Sequence, residues 1–157
     1  EESPRFKIIP MMKYFLLMTL LFSIKASAQE KLYDSVLAKK LGADKNGMKG
    51  YILVLLKTGP NKTTNQQFID SCFAGHMQNM GVMVKADKLV VAGPLGKNDK
   101  TYRGILILKL TSIEEAEKLL QTDPAIHSGL LAPELYKWYG SAALAAYLPF
   151  AEKISKN

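Results

Sequence analysis

Gly50-Tyr51-Ile52-Leu53-Val54-Leu55-Leu56-Lys57-Thr58-Gly59-Pro60 is the stretch that decides the fold. Its apolar run is too short for an ordinary helix and ends at Thr-Gly-Pro, a combination that stops regular structure. A strand points alternate side chains to opposite faces. Here both alternating sets, Tyr51, Leu53, Leu55 and Ile52, Val54, Leu56, are apolar. The segment is therefore expected to be a strand buried on both sides.

Downstream, Thr64 and Gln67 have capping-box spacing and open a helix expected through about Val84, with Phe68, Cys72, Phe73, Met77, Met80 and Met83 as its apolar side. Lys88 to Ala92 forms a second strand, Gly93 to Asp99 a loop, and Tyr102 to Leu110 a third strand, so this pair makes a hairpin with a long connection. Ser112 and Glu115 repeat the capping pattern, and the Ile113, Ala116, Leu119, Leu120 stripe makes a second helix that stops before Asp123-Pro124. Leu130 to Tyr139 is a fourth strand. The order β-α-β-β-α-β is the ferredoxin-like pattern of an α+β domain.

Two helices cover only one face of such a sheet, yet the first and third strands are apolar on both sides. An uncovered face of that kind exceeds the apolar patch a monomer ordinarily exposes. A homodimer packed face to face is the expected cover, helped by the segments flanking the domain. These are an arm and linker at 29–48, with Leu32, Val36, Leu37 and Leu41 at helical spacing, and a tail at 141–157 expected to be a helix broken at Pro149. The domain proper is placed at 49–140.

Residues 11–28 carry Lys13 near their start, an apolar core and an Ala26-Ser27-Ala28 ending, the three parts of a signal peptide cleaved after Ala28. Lys25 interrupts the apolar stretch too early for a bilayer span. Residues 1–10 have no part in that signal and are taken as an upstream artefact or remnant. Export to the periplasm or medium, with no membrane association after cleavage, is expected. Cleavage lowers the net charge from +7 to +5, because residues 1–28 hold Arg5, Lys7, Lys13 and Lys25 against Glu1 and Glu2. The remaining lysines are scattered, which speaks for a solvated surface and against nucleic acid. Cys72 is the only cysteine, so no intrachain disulfide can form.

In order along the chain, Tyr51 to Gly59-Pro60, His76, Val91-Ala92-Gly93-Pro94-Leu95, Gly104-Ile105, the helix start Ser112 to Ala116, Asp123-Pro124, Gly129 and Trp138 together resemble the YciI-like (YCII-related domain) family. The resemblance covers residues 49–139. It implies a dimeric α/β barrel and a His and Asp pair in a pocket, which falls on His76 and Asp123. The family pattern has a bulky residue after Asp-Pro, and this chain has Ala125. The arm and the tail look like features of an exported subgroup.

His76 follows Phe68 and Cys72 at intervals of four and so borders the sheet-facing side of its helix. Alone it reads as a core histidine, and Asp123 before Pro124 as a turn former. This topology lays the two helices side by side, which lets the pair meet. A carboxylate bound to one imidazole nitrogen fixes the tautomer and leaves the other nitrogen as a base. Gly93, Pro94 and Trp138 are candidate pocket residues. Gly93-Pro94 is otherwise a tight turn, while Trp138, Tyr136 and Tyr102 have core or interface as the plainer account. Arg103 suits an anionic ligand but reads first as a surface strand end. His127 with His76, Asp123 or Cys72 matches no metal-site spacing, Cys72 belongs to a buried helix face, and Met77, Met80 and Met83 read as core filling.

The expected function is a small enzyme, needing no cofactor or metal, that uses His76 and Asp123 as acid or base on a small organic molecule in isomerisation, elimination or hydrolysis. The alternative is a non-catalytic periplasmic protein that binds a small ligand. Glycine-rich phosphate loops and Ser-His-Asp signatures are missing from the sequence.

Overall fold

The computed structural model describes residues 33–151, 153, 154 and 156, so the upstream segment at 1–10, the signal peptide at 11–28 and the start of the arm lie outside the described residues. Residues 35–157 form one compact unit. Its elements are α1 (Ser35–Leu41), β1 (Met48–Thr58), α2 (Gln66–Lys85), β2 (Leu89–Pro94), β3 (Tyr102–Leu108), α3 (Ile113–Leu120), a one-turn α4 (Pro124–His127), β4 (Leu131–Ser141), a 3-10 helix (Ala142–Tyr147) and α5 (Leu148–Ala151). The four strands make one antiparallel sheet in the order β2-β3-β1-β4. This is an α+β ferredoxin-like fold. Strand β1 is central, pairing with β3 from Ile52↔Leu108 to Lys57↔Tyr102 and with β4 from Met48↔Ser141 to Thr58↔Leu131.

Both faces of β1 are used, as its two apolar sets require. Ile52, Val54 and Leu56 join Leu106 and Leu108 beneath Cys72 and Met83 of α2 and Ala116 and Leu120 of α3, all of them buried. Each large side chain placed there is worth about 1.5–3 kcal/mol relative to exposure. On the opposite face Tyr51, Val90 and Ile107 are buried against Leu53, Val91, Trp138 and, from the 3-10 helix, Leu144 and Ala145. The Tyr147 hydroxyl donates to the Val90 carbonyl, and Ala142 N–H donates to the Gly47 carbonyl at 2.9 Å. The tail therefore covers one end of this face. Toward the other end Leu55 and Ile105 are half-buried and Tyr136 is exposed.

Several boundaries differ from the sequence expectation for local reasons. Helix α2 is capped by Asn65, whose side chain accepts from Phe68 N–H at 3.1 Å, and not by Thr64; Asn is the stronger cap of the two. Its buried residues are Cys72, His76 and Met83, whereas Phe68 and Met77 are exposed. Steps of three along Met77, Met80 and Met83 drift by about 60° each, while steps of four and seven hold one face. Met83 therefore fills the core and Met80 packs against it, while Met77 turns outward. Gly93 and Pro94 do not leave the sheet but extend β2, opposite Ile105 and Gly104; β2 is an edge strand, where a missing N–H is tolerated. Strand β3 stops at Leu108. The tail is not broken at Pro149, which sits in the first turn of α5, where its absent N–H has no intrahelical partner to lose. Helix α1 forms but buries none of its residues. No helix among the described residues is long and apolar enough to cross a membrane.

Candidate active site

Cys72, His76 and Met83 share the buried side of α2, and this places the His76 ring under the helix beside the sheet with 9% of the residue exposed. Asp123 is wholly buried and begins α4. The Asp-Pro pair suits a helix start, because Asp caps free N–H groups and Pro presets the first helical dihedral. Asp123 Oδ1 accepts from Ala125 N–H at 2.9 Å and Ile126 N–H at 3.3 Å, which leaves Oδ2 to meet His76 Nδ1 at 2.6 Å. One carboxylate thus both caps a helix and holds an imidazole.

Two further residues bring α2 close enough for this contact, and sequence reasoning missed both. A Cβ on Gly75 would lie 2.7 Å from Pro124 Cγ, closer than real Cβ contacts come, so only glycine allows α2 to approach α4 here. One turn beyond His76, Asn79 Nδ2 donates to the Thr122 hydroxyl at 2.9 Å and to its carbonyl at 3.2 Å. The available signal was a glycine inside a helical run, which costs about 1 kcal/mol relative to Ala and calls for a packing reason.

The exposed part of the His76 ring faces an open-mouthed cavity of about 620 Å³ bordered by α2, β2 and β3. Its wall is apolar except for two side chains, His76 and Arg103, with Phe73, Met77, Met80 and Val84 along the helix and Gly93 and Pro94 on the strand side. The Phe73 ring stands edge-on to the imidazole, with centroids 6.3 Å apart. With Asp123 ionised, Nδ1 carries the proton and Nε2 presents a lone pair. Nε2 has no hydrogen-bond partner among the described residues. It can accept a proton from a molecule in the cavity and return it.

Of the residues predicted for the pocket, Gly93 and Pro94 line this cavity and Trp138 does not. Trp138 lies on the opposite sheet face, beside Tyr51 with ring centroids 5.6 Å apart and with its ring packed over Gly140. The alternation of β4 puts Trp138 on the same side as Tyr51, its partner across the strands, and away from the helices. Arg103 is exposed near the start of β3, as a surface strand end should be, and it also borders this cavity. Cys72 is buried, His127 is exposed, and among the described residues no three His, Cys, Asp or Glu side chains gather as a metal site.

No protein-family model and no curated protein matches the sequence. Among solved structures, the chain is similar to 5-chloro-2-hydroxyhydroquinone dehydrochlorinase from Burkholderia phenoliruptrix AC1100 in complex with 2,5-dihydroxybenzoquinone, at 29% identity and a TM-score of 0.38, over 55% of this chain and 92% of that one.

Proposed function

We propose that the protein is a small cofactor-independent enzyme that moves a proton on a small organic molecule, with His76 Nε2 as the acid or base and Asp123 holding the ring. The carrying observation is the 2.6 Å contact from Asp123 to Nδ1 of an imidazole that borders an apolar cavity of about 620 Å³. That volume lies within the usual range for small-molecule sites, about 300–1,000 Å³. Isomerisation, elimination and hydrolysis all begin with a proton transfer that such a base can perform. The resemblance of the residue order to the YciI-like family supports the same pair.

The test is proton exchange. A panel of small carbon acids in D2O is followed by NMR with wild type and His76→Ala. The proposal expects wild-type-catalysed exchange of at least one compound, about a hundredfold or more slower in the variant, with folding retained. Exchange unaffected by His76→Ala defeats it. A non-catalytic binding protein is the second reading, favoured by the full hydrogen bonding of the Asp123 carboxylate. It expects ligand binding without exchange and a large loss of stability in His76→Ala.

Two further proposals accompany the enzyme reading. A homodimer would cover the Leu55, Ile105 and Tyr136 end of the sheet, and sedimentation at a single-chain mass would exclude it. The protein is exported and cleaved after Ala28, so N-terminal sequencing of secreted material should begin at Gln29.

A further inference from the structure

We infer that the cavity takes an organic carboxylate, with its acid group held by Arg103 and its apolar body lying toward His76. This deepens the reading of the His76 cavity as the active site and rests on it for the location of the chemistry.

The chain holds 21 basic side chains, of which only Arg5 and Arg103 are arginine, and Arg5 lies outside the described residues. Arg103 occupies an irregularity in the sheet. Leu56 pairs with Gly104 and Lys57 with Tyr102, so Arg103 is an extra residue with no partner on β1. Plain alternation would send it with Ile105 and Ile107 to the face the tail packs on. An extra residue re-aims a side chain, and Arg103 instead lines two neighbouring cavities. The first is the His76 cavity, and the second, about 390 Å³, is lined also by Asn61, Lys62 and Thr63. Phe73 and Leu131 border both cavities, so Arg103 stands on their common wall. The chain enters this bulge through Thr101 at φ 60°, a left-handed conformation that a β-branched residue seldom adopts.

Charge then selects the ligand. No Asp or Glu lines either cavity. The ion pairs among the described residues are Lys57 with Glu134, Lys109 with Asp87 and His76 with Asp123, and none of them engages Arg103. Lys62 adds a second cation beside it, donating to the Gly59 carbonyl at 3.0 Å. A guanidinium presents paired N–H donors that match the two oxygens of a carboxylate, and because Arg103 is exposed an acid group can reach it from solvent while the rest of the ligand contacts the apolar wall. An anchored acid group also holds the rest of the ligand in one orientation against Nε2.

Calorimetry with the full chain would compare naphthalene-2-carboxylate with naphthalene-2-carboxamide. The wild type is expected to bind the acid at least tenfold more tightly than the amide. Arg103→Gln should bind both alike with the amide affinity unchanged, and Arg103→Lys should keep part of the preference. Equal affinities in the wild type, binding of neither compound, or a preference that survives Arg103→Gln overturns the proposal. His76→Ala separates the two readings: it is expected to keep the preference for the acid. If that variant also exchanges protons normally, the catalytic reading falls while the Arg103 site stands.

Discussion

Replacing Gly75 by Ala tests the claim that the His76 and Asp123 contact depends on how closely two helices approach. The new Cβ would sit 2.7 Å from Pro124 Cγ and 3.3 Å from its Cβ. The proline ring cannot swing aside as a long side chain would, so α2 or α4 must move by roughly 0.8 Å or more to restore ordinary contact between carbons, about 3.5 Å. A hydrogen bond of 2.6 Å stretched by that amount passes the limit of good geometry, about 3.2 Å. The substitution gains about 1 kcal/mol of helix propensity. Against this stand about 1–3 kcal/mol of overpacking and about 1.5–3 kcal/mol for a charge-assisted hydrogen bond. The expected net result is destabilisation by about 1.5–5 kcal/mol from these same terms. Gly81→Ala is the control, because a Cβ there meets nothing within 4 Å in the same helix; it should stabilise by up to about 1 kcal/mol. Chemical denaturation measures both, and ¹⁵N shifts of the His76 ring report whether Nδ1 keeps its proton. If Gly75→Ala proves as stable as Gly81→Ala with the ring tautomer unchanged, the geometric argument is wrong.

Asp123→Asn keeps an oxygen for the α4 cap but removes the charge opposite Nδ1, so it should cost about 1.5–3 kcal/mol and shift the His76 proton partly to Nε2, visible in the same ¹⁵N shifts. Gly93→Ala adds a methyl with nothing within 4 Å of its Cβ, on the Ile105 side of the sheet and away from the helices; the denaturation midpoint and ligand affinity should both hold. The Asp44 carboxyl is held below its ordinary value of 3.8 by the Tyr139 hydroxyl and then by the Met48 and Asn46 N–H groups. Its contribution is therefore complete above pH 3.8 and lost as pH falls through the lower folded-state value, so Asp44→Ala should narrow the stability gap between neutral and strongly acid solution in an acid titration. Leu144→Ala should destabilise by about 2 kcal/mol, the low end for such a truncation because the side chain is only half-buried.

The fold was legible because its strongest signals are local. The double-faced apolar run at β1 and the Ser112 cap, whose hydroxyl accepts from Glu115 N–H at 3.1 Å, need no knowledge of distant residues. The pairing of His76 with Asp123 was legible through the family resemblance, and the topology, which sets two helices on one face, only allowed the contact. What escaped depends on long-range geometry. The role of Gly75 appears only when Pro124 is seen against it. The aim of Arg103 depends on a register shift between β1 and β3, which no pattern within β3 announces. Trp138 was misplaced because an aromatic in a strand suits a cavity wall and an outer face equally well until its pairing with Tyr51 is known. The split of the tail into a 3-10 helix and a final turn likewise follows from its packing on Tyr51 and Ile107 and not from its Ala-rich composition.

The Asp123 carboxylate holds the Ala125 and Ile126 amides with one oxygen and the imidazole with the other. The first turn of α4 and the orientation of His76 thus share one anchor, and a displacement of that carboxylate disturbs both. Slow solvent exchange at the Ala125 amide becomes a gauge of how firmly the anchor beneath the imidazole is held, readable without any substrate in hand.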